Sequence, residues 1–146
     1  MREGTIAYCG PDDGTPDHSG AEEVDASGAT IVPGLVDCHA HFTGLGGANW
    51  IARFGDPDAD LLARGDEAAR DLARMGVLTA RDVGAPRRLN LRIRDAVRGR
   101  VDAPDIVAAG TWIARRDKFP PFVVFVDSGA ELRAAAPPRW TPARTS

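Results

Sequence analysis

The sequence predicts an α/β protein with parallel strands, and three observations carry that prediction. Strand-like apolar runs alternate with segments of helical periodicity, in the order strand, helix, strand, helix, strand. The connections between them are only a few residues long, which calls for right-handed βαβ units. The first apolar run enters at Ile31, passes a Pro33-Gly34 turn and ends in His39 and His41, as expected at the end of a buried strand.

The elements follow in order. Gly4–Cys9 reads as a short strand ended by Gly10-Pro11. A polar turn region follows, and it makes His18 a solvated loop histidine. Glu23–Ala26 reads as a second short strand, and Ser27-Gly28 turns the chain into the apolar run. After His41 comes a glycine-rich loop, and Asp56-Pro57 then makes a helix start, with Asp56 as N-cap and Pro57 at the first helical position. Leu61, Leu62, Ala68, Ala69, Leu72 and Met75 recur at helical spacing, and Gly76 supplies the stop. Val77–Val83 is strand-like and closes at Gly84. A second helix spans Arg87 to Arg98, with Leu89, Ile93, Ala96 and Val97 on one face. Pro104 precedes the third strand, Asp105–Ala109.

Beyond it the alternation weakens. Phe122–Val126 is a strand or buried segment, and Ser128-Gly129-Ala130-Glu131 is a capping box that opens a helix. That helix meets Pro137-Pro138 after two turns, and an unpatterned tail follows to Ser146. A well-capped helix stopped so early reads as an interrupted frame; a natural disordered terminus is the alternative.

Composition narrows the function classes. The 146 residues are 43% hydrophobic and 27% charged, typical of a soluble globular protein, with a net charge of -3. Arginines are scattered among carboxylates without a basic stripe, so no nucleic-acid partner is expected. No secretory h-region and no apolar stretch of membrane-spanning length is present, so no membrane partner is expected and the location reads as cytoplasmic. Cys9 and Cys38 make no disulfide framework, and strand alternation turns Cys38 from the histidine face to serve as a small buried hydrophobe.

The chemistry centres on Asp37-Cys38-His39-Ala40-His41-Phe42, which holds two of the three histidines. Strand side chains alternate, so His39 and His41 point the same way from a strand end and can present nitrogen to one divalent cation. Asp37 and nearby backbone carbonyls are candidates to fix the tautomers. Zinc is the default ion for an imidazole pair, and iron or manganese also suits it. Such an ion lowers the pKa of bound water and polarises a carbonyl. Asp82 alternates with Arg81 on the second strand, where a strand-end hydrogen bond or ion pair is its plainer role. Trp112 lies beyond a strand end, with packing its plainer role, and Arg115-Arg116 reads as a solvated pair.

These motifs resemble the amidohydrolase superfamily, in its imidazolonepropionase-like and prolidase-like branch. Gly28–Phe42 is similar to the stretch entering the first barrel strand, and Gly76–Gly84 to the second, where a Gly-x-Thr-Thr-x-Arg-Asp pattern is common. Ile93–Val97 and Ala108–Ile113 resemble the following helix and third strand, and Gly4–Ala7 with Val24–Ala26 fits the flanking β-sandwich. The resemblance implies residues 1–30 as a partial sandwich, 31–136 as the first three units of an incomplete (β/α)₈ barrel, and 137–146 as a tail. It also implies a metal-dependent hydrolase of small-molecule, non-peptide C–N bonds, with one or two divalent ions and His39 and His41 as ligands. The fourth-strand lysine or glutamate, the later histidines and the eighth-strand aspartate have no counterpart, and Lys118 falls in a loop ahead of the expected position. The expectation is therefore a fragment inactive alone and prone to aggregate, with weakly held metal. The alternatives are a frameshifted remnant with no activity, half of a split enzyme, or an intact α/β binding module.

Overall fold

The computed structural model describes residues 4–17, 19–44, 46, 48–116, 118 and 122–136. His18, Asp117, Phe119–Pro121 and the 137–146 tail lie outside the described residues. The chain divides into two units, Met1–Val32 and Pro33–Ser146.

In the first unit the two expected strands do not form: Thr5 makes an isolated bridge, and residues 21–26 have no regular secondary structure. A short β segment needs a neighbouring strand to take up its backbone donors and acceptors. What does form here is local. Asp25 Oδ1 accepts the Ser27 N–H at 2.8 Å and Asp17 Oδ1 accepts the Ser19 N–H at 3.0 Å.

The second unit contains a parallel sheet of β1 (Leu35–Ala40), β2 (Val77–Asp82) and β3 (Asp105–Ala108), in that spatial order. β1 begins later than the apolar run, which leaves Ile31 and Val32 exposed. A one-turn helix α1 (Trp50–Arg53) precedes the long helix α2 (Asp58–Arg74), and α3 (Leu89–Val97) connects β2 to β3. A separate parallel pair, β4 (Ile113–Arg115) and β5 (Val124–Val126), leads into α4 (Gly129–Ala135). β4 was not expected; only three residues long, it carries no periodicity of its own. Among the described residues no helix is long and apolar enough to cross a membrane.

The helix ends show where side chains changed the local plan. α2 takes Pro57 as its N-cap, because the Asp56 carboxylate instead binds Arg64 at 2.6 Å. Its C-terminus is as expected: Gly76 adopts φ 86°, and its N–H reaches the Ala73 carbonyl at 3.0 Å. α3 starts at Leu89, after Arg87 and Arg88 in left-handed conformations. The Arg87 guanidinium is committed to the start of α2, bonding Asp58 at 2.5 Å and the Asp56 carbonyl at 3.0 Å. At α4 the Ser128 hydroxyl accepts the Glu131 N–H, while Glu131 reaches back to the Asp127 N–H at 2.8 Å.

The core lies between one face of the sheet and α2 with α3. Ala40, Phe42, Ala80 and Ile106 meet Ala69, Ile93 and Val97 there. Small residues let the layers approach: a Cβ on Gly65 of α2 would stand 2.2 Å from Ile93 Cδ1 on α3. Among the described residues nothing covers the opposite face of the sheet, where Val36, Arg81, Asp105 and Val107 are exposed. For the same reason Cys38 is exposed, not a buried hydrophobe. Met75, expected in the core, is also exposed, because it falls on the turn that closes α2.

Candidate metal centre

His39 is the penultimate residue of β1 and His41 follows its end, at the C-terminal edge of a parallel sheet, where α/β proteins build their sites. The ring centroids are 5.3 Å apart. Two imidazoles on one tetrahedral ion, with metal–nitrogen bonds of about 2.1 Å, place their centroids about 5.2 Å apart. His39 is exposed and His41 half-buried, and both line an open groove of about 370 Å³ along β1 and α2, with Asp37, Phe42, Asp71, Leu72 and Met75.

The surroundings of His41 are specific. Its Nδ1 lies 2.9 Å from the Gly84 carbonyl oxygen. A carbonyl only accepts, so Nδ1 carries a proton, and in the neutral ring Nε2 then keeps its lone pair. The backbone carbonyl, not Asp37, thus orients the ring. Asp37 Oδ1 accepts the His39 N–H at 2.9 Å and shapes the strand end.

Asp82, fully buried at the end of β2, joins the two loops around His41. Its Oδ2 accepts the Phe42 N–H, and its Oδ1 accepts the Gly84 N–H and the Asn90 side-chain amide, each at 2.9 Å. Burial raises the Asp82 pKa above the usual carboxylate value; the hydrogen bonds from Phe42, Asn90 and Gly84, and the nearby His41, pull against that rise. Arg81, its neighbour, points to the uncovered face and bonds the Cys38 carbonyl at 3.0 Å.

An aromatic wall stands beside His41. Trp112 meets His41 edge to face at 4.9 Å and packs on Phe54 at 5.3 Å and Phe122 at 5.1 Å. A Cβ on Gly84 would stand 2.1 Å from the Trp112 indole nitrogen, so only glycine fits beneath that ring. Lys118 is exposed in the turn after β4. A larger open groove of about 530 Å³, lined by Arg87, Arg88, Thr111 and Phe122 among others, contains neither histidine.

The chain shares this fold with a crystal structure of an amidohydrolase, at TM-score 0.65 and 26% identity, over 84% of this chain and 34% of that one. It is 32% identical over 101 residues to the imidazolonepropionase of Methylobacterium nodulans, covering 66% of this chain and 25% of that protein. It is 50% identical over 41 residues to the 5-methylthioadenosine/S-adenosylhomocysteine deaminase of Symbiobacterium thermophilum, 28% of this chain and 9% of that protein. The chain belongs to the amidohydrolase superfamily. The matches span a quarter or less of these curated relatives. No family model matches the chain.

Superfamily members are generally metal-dependent, and the donors here fit part of that requirement. Two imidazoles at the right separation, one with its tautomer held, are suited to a divalent ion. Among the described residues no group of three His, Cys, Asp or Glu is placed to hold one. Sequence reasoning missed Gly84 and Asn90. Asn90 carried a signal, since it is a polar residue beside Leu89 in the buried stripe of α3. Gly84 carried none beyond ending a strand.

Proposed function

We propose that His39 and His41 are metal ligands of a hydrolase acting on a non-peptide C–N bond of a small amide-type substrate by metal-activated water. The observation that carries this reading is the His41 Nδ1 contact with Gly84, which reserves Nε2 for a ligand beside a second imidazole. The relatives named imidazolonepropionase and deaminase support it from outside the chain. Zinc is the ion this imidazole pair favours, and when bound it supplies an acidified water and a polarised carbonyl. The chain's own residues do the rest: Gly84 and Asp82 hold His41, Asp37 holds the His39 backbone, and Trp112 closes one side of the site. In this reading β1 to β3 are the first strands of a (β/α)₈ barrel over residues 31–136, residues 1–30 belong to a flanking β-sandwich, 137–146 form a tail, and the protein works in the cytoplasm.

Two imidazoles leave a divalent ion short of protein ligands. We therefore read the 146-residue chain by itself as a weak metal binder without turnover, and a remnant with no activity is the second reading. Titration with Co²⁺, followed by its visible absorption, tests the first. One ion per chain is expected, and His39→Ala or His41→Ala should weaken binding at least tenfold. Unchanged affinity in both variants would remove the metal assignment. Turnover of an amide panel by the chain alone would overturn the reading of an inactive fragment. Sequencing the coding DNA beyond the Ala136 codon in all three frames separates an interrupted enzyme from a remnant.

A further inference from the structure

Asp82 is a buried carboxylate, and two of the three hydrogen bonds it accepts come from groups that determine where His41 sits. The Phe42 N–H is the peptide donor immediately after His41, and Asp82 Oδ2 holds it at 2.9 Å. The Gly84 N–H belongs to the residue whose carbonyl takes the His41 Nδ1 proton, and Asp82 Oδ1 holds it at 2.9 Å. The Asn90 amide, donated from α3, fixes that same Oδ1 at 2.9 Å. All three groups around the carboxylate are buried, so no water competes for them. The loop after β1 and the loop after β2 are therefore stapled through one side chain, and the helix α3 anchors the staple.

We propose that Asp82, Gly84 and Asn90 form a positioning unit that fixes His41 in the Nδ1–H tautomer, with its Nε2 lone pair preorganised for a cation. The unit rests on the reading of His41 as a ligand. Asp82 and Asn90 are positioning residues, because they act through Phe42 and Gly84 and contact no reacting atom. The carboxylate is required for its chemistry, not only its volume. Asn at position 82 offers one accepting oxygen and one donating nitrogen, so either the Phe42 N–H or the Gly84 N–H must face a donor.

The test uses the metal-free 146-residue chain, ¹⁵N-labelled, with long-range ¹H–¹⁵N spectra of the imidazole rings at about pH 9, where neutral tautomers are read. Wild type is expected to show His41 as a single Nδ1–H tautomer. Asp82→Asn is expected to show His41 exchanging between tautomers while amide dispersion stays that of a folded chain. Its Zn²⁺ affinity, measured by competition with a chromogenic chelator, should fall about 10–100-fold. If Asp82→Asn does not fold, Asn90→Ala takes its place, since it leaves both backbone hydrogen bonds intact; exchange at His41 supports the unit there, and an unchanged ring overturns it. An Nε2–H tautomer in wild type overturns the proposal outright, as does a folded Asp82→Asn with His41 still fixed. A wild-type chain that holds His41 as Nδ1–H but binds no Zn²⁺ overturns the metal reading and leaves the positioning unit standing.

Discussion

At the residue scale, function and stability draw on charged groups in opposite ways. Asp82 lies out of solvent, where a carboxylate is costly unless each oxygen is occupied, and three donors occupy it. Arg100 and Asp102 show the exposed counterpart. The Arg100 guanidinium grips Asp102 through two hydrogen bonds, 2.8 and 2.9 Å, and also bonds Asp66 on α2. That contact depresses the Asp102 pKa from 3.8 to about 2. A depressed carboxylate stabilises the folded chain above its unfolded value, and the stabilisation fades as pH falls from 3.8 through about 2. We expect Arg100→Gln to return the Asp102 midpoint, read by carboxyl ¹³C shifts, toward 3.8. A midpoint that stays near 2 in the variant would assign the depression elsewhere.

At the scale of elements, the packing of α2 on α3 turns on one glycine. Glycine inside a helix ordinarily costs about 0.5–1 kcal/mol relative to alanine, so Gly65→Ala should stabilise an isolated α2. In the folded chain the added Cβ stands 2.2 Å from Ile93 Cδ1 and 2.9 Å from its Cγ1. Overpacking of this kind costs about 1–3 kcal/mol, enough to reverse the sign. Gly65→Ala is expected to lower the urea midpoint, and pairing it with Ile93→Ala should lose less than the two single changes summed. Strict additivity would mean that the helices do not meet at this point. The elements themselves were largely legible. The Leu61 and Ala69 stripe, the Gly76 stop and the Ser128 capping box all stand as the pattern implied. The starts of α2 and α3 moved because Asp56 and Arg87 bonded across the chain rather than along it, and local signals carry no record of such partners.

At the scale of the molecule, the described residues cover the sheet on one side only. β1 and β3 are its outer strands, each with one unpaired edge in this sheet, and Val36 and Val107 stand exposed on the open face. Parallel sheets are ordinarily covered on both faces, and bare edges invite pairing with another chain. Sedimentation velocity over a hundredfold range of concentration is expected to show association that grows with concentration. A single monomeric species throughout would show that the open face and edges are tolerated.

By itself the sequence determined the α/β class, the parallel order of strands and helices, and the histidine pair at the end of β1. Those features rest on periodicity, on capping and stop residues, and on a short motif, all readable within a few residues of chain. Tertiary structure alone decided that Gly84 sets the His41 tautomer, that Asp82 and Asn90 brace it, and that Trp112 packs against its ring. It also decided that Cys38 is exposed and that the two early β segments form no regular strand. The physical reason is one of range. Helix and strand preference is a property of neighbours in sequence, whereas the His41–Gly84 and Phe42–Asp82 bonds join residues 43 and 40 positions apart. Such partners exist only once the chain has folded.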